Sequence, residues 1–434
     1  MPASQASRQK QGAIEGAPCP IKDAHRRLMD CHVHWHMTAE KYMDPEGFRL
    51  NLNSLIQNLR NVTWLLQKQK SNLPDFQEWY GAWQDSVKAD PAMGWVVKAR
   101  NRIVKEADLE IHSEARVRIS YDWTHEYEKT FRFPPRFTTR QILRTILTQN
   151  ALRPEGTISI DRRWVDRMLP DWELLDATSR AYSRIAHVIG TAHSKAGVDT
   201  CNLPTREPSC VDSHTGTRAI CMDPVDQNRA LHVDLKSGYE IAEIRVPIGI
   251  TTEEQVRGAV EKYGMDFDPG SGDAIARVPN LLKTAKMVLS VDESHHTFAY
   301  LLIDDRVVAQ LPMQFPNQET KRLALQRLAD EVRRESANGL ILVGEQWVAF
   351  VHPDEDFNAP GFKPARDRPD REEAITVTAM TKDGRLLQAF SIFKDRGGKR
   401  TFDEDNFTDL GGAIPNFLLP VARVWEIGPF KSDA

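Results

Sequence analysis

Two sets of residues in this chain have types and spacings suited to chemistry. The first is Arg100-Asn101 followed by Lys105. It lies on a stretch that reads as helix, with Asp90 as N-cap and Pro91 as first helical residue. At helical period Met93, Val96, Val97 and Val104 share one face, and Arg100 falls near its centre. A guanidinium on a buried face requires an anionic partner, because an unpaired buried charge is strongly destabilising. A carboxylate such as Glu106 or Asp108 would make Arg100 a structural tie between helices, whereas a ligand phosphate would make it a binding residue.

The second set is built from histidine and cysteine. Asp30-Cys31-His32-Val33-His34-Trp35-His36 has two periodicities in it. Taken as a helix, it puts His25, Met29, His32 and His36 on one stripe, and His32 with His36 has the i, i+4 spacing of a metal-ligand pair. Further along, Cys201, Cys210, His214 and Cys221 fall in an irregular stretch, where zinc would fix a segment lacking a core of its own. Their gaps match no standard knuckle, and Cys-x-x-Cys is absent. Histidines on an interhelical face and scattered reduced thiols are the commoner outcome, so no cofactor is expected. Asp292, Glu293, His295 and His296 read as a solvated loop before a strand. Gly270-Ser271-Gly272 reads as a flexible turn, and Arg396-Gly397-Gly398-Lys399-Arg400 as an exposed hairpin tip.

The Arg100-Asn101 helix within a helical bundle resembles the HEPN superfamily, over roughly residues 21–110 with a return helix near 171–194. Ribonuclease members of that superfamily use an Arg-Asn pair followed a few residues later by histidine. Here Lys105 stands where the histidine is expected, and His112 lies too far along. The resemblance implies a degenerate RNA-binding or ribonuclease-derived module in a defence or toxin setting. Arg100, Asn101 and Lys105 would then be its candidate catalytic residues, with a homodimer formed through the bundle. Read instead as a strand, Asp30-x-His32-x-His34 is similar to the opening signature of metal-dependent amidohydrolase barrels. The helices that follow it argue against a barrel. A metal-dependent hydrolase and a non-enzymatic interaction or scaffold protein stand as the alternatives, and another protein as the alternative partner to RNA.

A chain of 434 residues implies more than one domain. A hydrophobic share of 41% and a charged share of 27% are those of a globular protein. A net charge of -4 argues against a strongly basic nucleic-acid binder. Five cysteines suggest reduced thiols and a cytoplasmic setting, and neither a signal peptide nor a membrane span is expected.

The expected class is α+β multidomain, an N-terminal all-α helical bundle followed by a C-terminal antiparallel-sheet α+β region. The expected boundaries are a flexible arm at 1–20, a bundle at 21–196 with a small β insertion near 115–123, an irregular linker at 197–230 and the α+β region at 231–434. Phe48, Leu52, Leu55, Leu59, Val62 and Leu66 define a long amphipathic helix. Leu174, Leu175, Ala181, Ile185, Val188 and Ile189 define a second helix, between 171 and 194. Residues 131–136, with paired prolines, read as a linker or lid. Past residue 297 the pattern predicts strands joined by tight turns beside a single helix over 317–336. One of these turns is a hairpin at Lys382-Asp383-Gly384.

Overall fold

The computed structural model describes residues 17–198, 201–203, 220–222, 229–242, 253–264, 270–292, 294–350, 363, 365–396 and 399–428. Its contacts divide the chain into two units, one made mainly of residues up to Lys236 and the other mainly of residues from Ser237 onward. The class is the expected one, an N-terminal helical region followed by antiparallel sheet with helices.

In the first unit, α1 (Lys22–Glu40), α2 (Pro45–Lys68), α3 (Phe76–Val87) and α4 (Pro91–Lys105) precede the strands β1 (Ile111–Ser120) and β2 (Glu126–Phe133). There follow α5 (Thr139–Gln149), β3 (Thr157–Asp166), α6 (Leu174–Lys195) and β4 (Ala230–Asp234). Helices α1, α2, α4 and α6 pack together. The six apolar residues read on α2 are all buried, as are the six on α6. Caps fix the helix starts: Asp44 accepts from Glu46 N, Asp90 from Ala92 N, and Glu173 from Leu175 N and Asp176 N. Trp35 Nε1 donates to Leu175 O at 3.1 Å, and Phe48 stacks on Trp164 with ring centroids 4.8 Å apart.

The strands form a sheet of order β2-β1-β3-β4. The first three residues of the stretch read as a linker or lid, 131–133, instead end strand β2, whose Phe131 and Phe133 pack on the sheet's apolar cluster. Strand β3 escaped the sequence reading because nearly all of it is buried, which erases the alternation that marks a half-exposed strand.

In the second unit, α7 (Glu253–Tyr263) and α8 (Val278–Val291) lead into β5 (Thr297–Ile303), β6 (Arg306–Met313), α9 (Gln318–Glu335) and β7 (Gly339–Val348). The chain continues with β8 (Glu372–Thr381), β9 (Leu386–Arg396), β10 (Lys399–Phe402), β11 (Asn406–Asp409) and α10 (Leu419–Trp425). The antiparallel order is β10-β9-β8-β7-β5-β6, with β11 also on β9. The expected β8–β9 hairpin is present, and Gly384 at φ 93° supplies the left-handed turn residue.

Helices cover both faces of this sheet, not one. Ile341 and Val343 pack with α8, whereas Leu340 and Leu342 pack with α9 and α10. The two-residue period of β7 sends alternate side chains into two cores. A strand with both faces covered reads as a continuous apolar run, which conceals the second helical layer.

Candidate metal centre

Among the described residues, the first unit holds two convergent sets of histidine and cysteine, and α1 contributes to both. Helices α1 and α6 run antiparallel. Trp35 meets Leu175 near one end, and the rings of His25 and His193 meet edge to face at the other, with centroids 4.9 Å apart. Between them His32 lies against Tyr182, at 5.9 Å between centroids.

After His193 helix α6 ends at Ala196, and Gly197 takes φ 69°, a left-handed C-terminal stop. Val198 N donates back to His193 O at 3.0 Å, and the chain reaches Cys201. Cys201 forms a parallel bridge with Ala17, and Asn202 N donates to Ala17 O at 2.9 Å. Cys19 follows two residues later, just ahead of α1.

The result is a set of four donors, Cys19, His25, His193 and Cys201, whose ligating atoms all lie within 4.8 Å of one another. Cys19 Sγ is 3.7 Å from His25 Nδ1 and 3.3 Å from His193 Nε2, and Cys201 Sγ is 3.4 Å from His25 Nδ1. Zinc bonds of about 2.3 Å to sulfur and about 2.0–2.1 Å to nitrogen give a tetrahedron with S···N edges of about 3.5 Å. The observed separations bracket that edge.

The tautomer of His193 is also fixed. Its Nδ1 lies 2.9 Å from Ile189 O, and a carbonyl can only accept, so Nδ1 carries the proton. Nε2 therefore turns its lone pair toward Cys19, the second-shell arrangement that metal-binding histidines use. Both rings are only 6% exposed, so no bulk water competes for them. Burial pushes the Cys19 thiol up to about 11, with Cys201 nearby adding to the effect. Cys19 and Cys201 are free thiols.

The second set is His32, His36 and Cys221, all half-buried, again with donor atoms within 4.8 Å of one another. His32 Nε2 is 3.1 Å from Cys221 Sγ and 3.2 Å from His36 Nε2. Cys221 sits on a short 3-10 turn, Ile220–Met222. That turn is anchored on α6, because Met222 is fully buried and its carbonyl accepts from Ser179 Oγ at 2.8 Å.

The structure regroups the sequence candidates. Cys201 and Cys221 belong to different sets, while Cys210 and His214 lie outside the described residues. Segment 30–36 is helical, which removes the strand needed by the amidohydrolase signature. Within it Cys31 is part of the helical core, and burial pushes its thiol well above the ordinary range. Cys19 and His193 went unread. Their only sequence signal is that each is followed within eight residues by a donor of the other kind, Cys19 by His25 and His193 by Cys201.

Arg100 is half-buried on α4, and its Nη1 donates to Asn101 Oδ1 at 3.3 Å. The inner face of α4 is Ala92, Trp95, Val96 and Ala99, whereas Val97 and Val104 are 40% and 50% exposed. Trp95 and Ala99 rotate the buried stripe away from the face expected from valine positions. Neither suggested carboxylate serves Arg100, since Asp108 pairs with Arg49 at 2.8 Å and Glu106 is exposed at the helix end. Lys105 is exposed.

Among the described residues of this unit, Arg162 carries a deeply buried guanidinium, 1% exposed. It stacks on Trp164 at 3.9 Å from the ring centroid and donates to Ser113 Oγ at 2.9 Å. Burial lowers it to about 10. Beside it, the Tyr42 hydroxyl lies 2.8 Å from Arg162 O and 2.9 Å from Glu173 Oε1, within reach of both with its one proton.

The minor candidates lie in the second unit. Asp292 pairs with Lys262 at 2.6 Å and accepts from Tyr263, and His295 N donates to Glu345. Glu293 lies outside the described residues. Arg277 Nε closes the glycine turn through Gly272 O at 2.9 Å. Arg400 pairs with Asp395 and donates to Leu289 O.

A family model described as bacteriophage lambda protein ea47 matches residues 12–429. The chain belongs to this family. Protein ea47 of Escherichia phage lambda is 34% identical over 166 residues, which make up 37% of this chain and 40% of that protein. The aligned stretch thus covers less than half of that relative's length. No solved structure matches. A match over nearly the whole chain replaces the HEPN resemblance, and with it goes the ground for an RNA-binding or ribonuclease role and for a defence or toxin setting. Among the described residues, no helix is long and apolar enough to cross a membrane.

Proposed function

We propose that this member of the ea47 family is a zinc-binding protein, in which Cys19, His25, His193 and Cys201 hold a structural ion. The observation that carries this reading is the set of S···N separations, 3.3, 3.4 and 3.7 Å, around a single point. Two thiolates and two imidazoles in a tetrahedron suit zinc, because soft sulfur donors select against magnesium and calcium. Four protein donors fill the tetrahedron and leave no position for an activated water, so the ion acts on structure and not on a substrate. It joins the strand-like segment at Ala17 and Cys201 to the ends of α1 and α6. This reading favours the non-enzymatic alternative for this centre over the metal-dependent hydrolase.

Metal content by mass spectrometry tests the reading. The purified chain is expected to carry zinc that Cys19→Ser/Cys201→Ser loses by one equivalent. A parent protein without metal, or one in which Cys19 and Cys201 form a disulfide, would overturn it.

A further inference from the structure

We infer a second zinc centre at His32, His36 and Cys221, separate from the Cys19–His25–His193–Cys201 centre. His32 Nε2, His36 Nε2 and Cys221 Sγ converge, with edges of 3.1 and 3.2 Å. Those lengths are close to the N···N edge of about 3.4 Å and the S···N edge of about 3.5 Å of a zinc tetrahedron. The rings of His32 and His36 stand edge to face at 89°, with centroids 4.7 Å apart, instead of stacking.

The framework around these donors holds them in place. One turn of α1 spaces the two histidines, Tyr182 backs the His32 ring, and Ser179 fixes the turn that carries Cys221. Histidines at i, i+4 on a helix with a third donor from elsewhere are a common way to build a zinc site.

Position along α1 separates the centres. His25 and His32 are seven residues, or about 10 Å, apart along the helix axis, too far for one ion to bridge. The two centres also divide the chain between them. Cys201 is held at His25 and Cys221 at His32, so both ends of the segment that joins these cysteines are fastened to α1. This second centre is half-buried, whereas His25 and His193 are buried, so its ion exchanges faster with an added chelator.

The test counts zinc on the full-length chain, reconstituted with zinc chloride and dialysed. The parent is expected to bind two equivalents. His36→Ala/Cys221→Ser is expected to bind one, and Cys19→Ser/Cys201→Ser to retain one. Because a variant can fail to fold, cobalt(II) titration of the unaltered protein provides the second measurement. Two saturating steps, each with thiolate-to-cobalt charge-transfer absorption, support two centres with sulfur donors.

A parent holding a single equivalent, unchanged in His36→Ala/Cys221→Ser and saturated in one cobalt step, overturns the second centre and leaves the first intact. A single equivalent lost in His36→Ala/Cys221→Ser and kept in Cys19→Ser/Cys201→Ser supports this centre and overturns the first. No metal at all overturns both.

Discussion

Stripping zinc from the protein should destabilise its first unit by a calculable amount without abolishing its fold. The helical core of that unit, with Trp35, Phe48, Trp95 and Trp164 buried, exists apart from the metal donors. The metal therefore adds to an existing core, unlike the ion of a zinc finger, which supplies the fold itself. With free zinc at about 100–1,000 times its dissociation constant, binding to the folded state alone contributes about 3–4 kcal/mol. For a unit of this size that corresponds to a rise in Tm of about 5–16 °C.

The assay is calorimetry on the zinc-loaded chain and on the same chain after chelation under reducing conditions. The transition of the first unit should move down by that interval for each ion removed and return when zinc is added back. Cys201→Ser should melt between the loaded and the chelated parent and respond less to zinc, keeping only what the His32–His36–Cys221 centre contributes. Identical melting of loaded and chelated protein would exclude a structural ion. So would a shift reversed by oxidation instead of zinc, which would make the Cys19–Cys201 pair a disulfide.

Asp90 caps α4 and also accepts from Arg180 and Arg184 of α6 at 2.8 and 3.2 Å. Burial works against its charge, but the two guanidinium groups outweigh it and hold the carboxyl below its usual range. Asp90→Ala should cost about 2–3 kcal/mol in urea unfolding, with Asp90→Asn recovering about 1 kcal/mol through the retained cap. Equal losses in the two variants would show that the cap contributes nothing. Burial pushes Glu173 up to about 7 in spite of Arg229, so the folded state takes up a proton that the unfolded chain releases near pH 4.5. Its contribution is therefore fully present below pH 4.5 and falls away as pH rises to about 7, by about 3 kcal/mol relative to Glu173→Gln. Parallel stability profiles for parent and variant over that range would contradict this. Arg100→Ala should change stability by no more than about 0.5 kcal/mol, since the side chain is half-exposed and bonded to its neighbour Asn101. A loss of about 3 kcal/mol would restore the buried ion pair that the sequence pattern implied.

Helix α2 and helix α6 were legible because their apolar residues recur at helical period and end up buried. Strand β3 was not, because both its faces are covered and it carries Arg162 inside the core. The placing of Arg100 failed on α4 for a related reason. Valine positions suggested one face, but the large ring of Trp95 and the small Ala99 set the buried one.

The metal candidates were legible only in part. His32 and His36 share a helix, so their spacing was visible, whereas their third donor lies 185 residues after His36. The four-donor set is harder still, since His25 and His193 meet only through the antiparallel packing of α1 on α6. Local spacing carries no trace of such a meeting, and the absence of Cys-x-x-Cys is beside the point when each thiol comes from a different segment.

Anomalous scattering at the zinc edge from crystals of the zinc-loaded protein locates the ion directly. A peak is expected at bonding distance from Cys19 Sγ, His25 Nδ1, His193 Nε2 and Cys201 Sγ, about 2.3 Å from each sulfur and about 2.0–2.1 Å from each nitrogen. No peak among these four atoms in zinc-saturated crystals would contradict a zinc centre there.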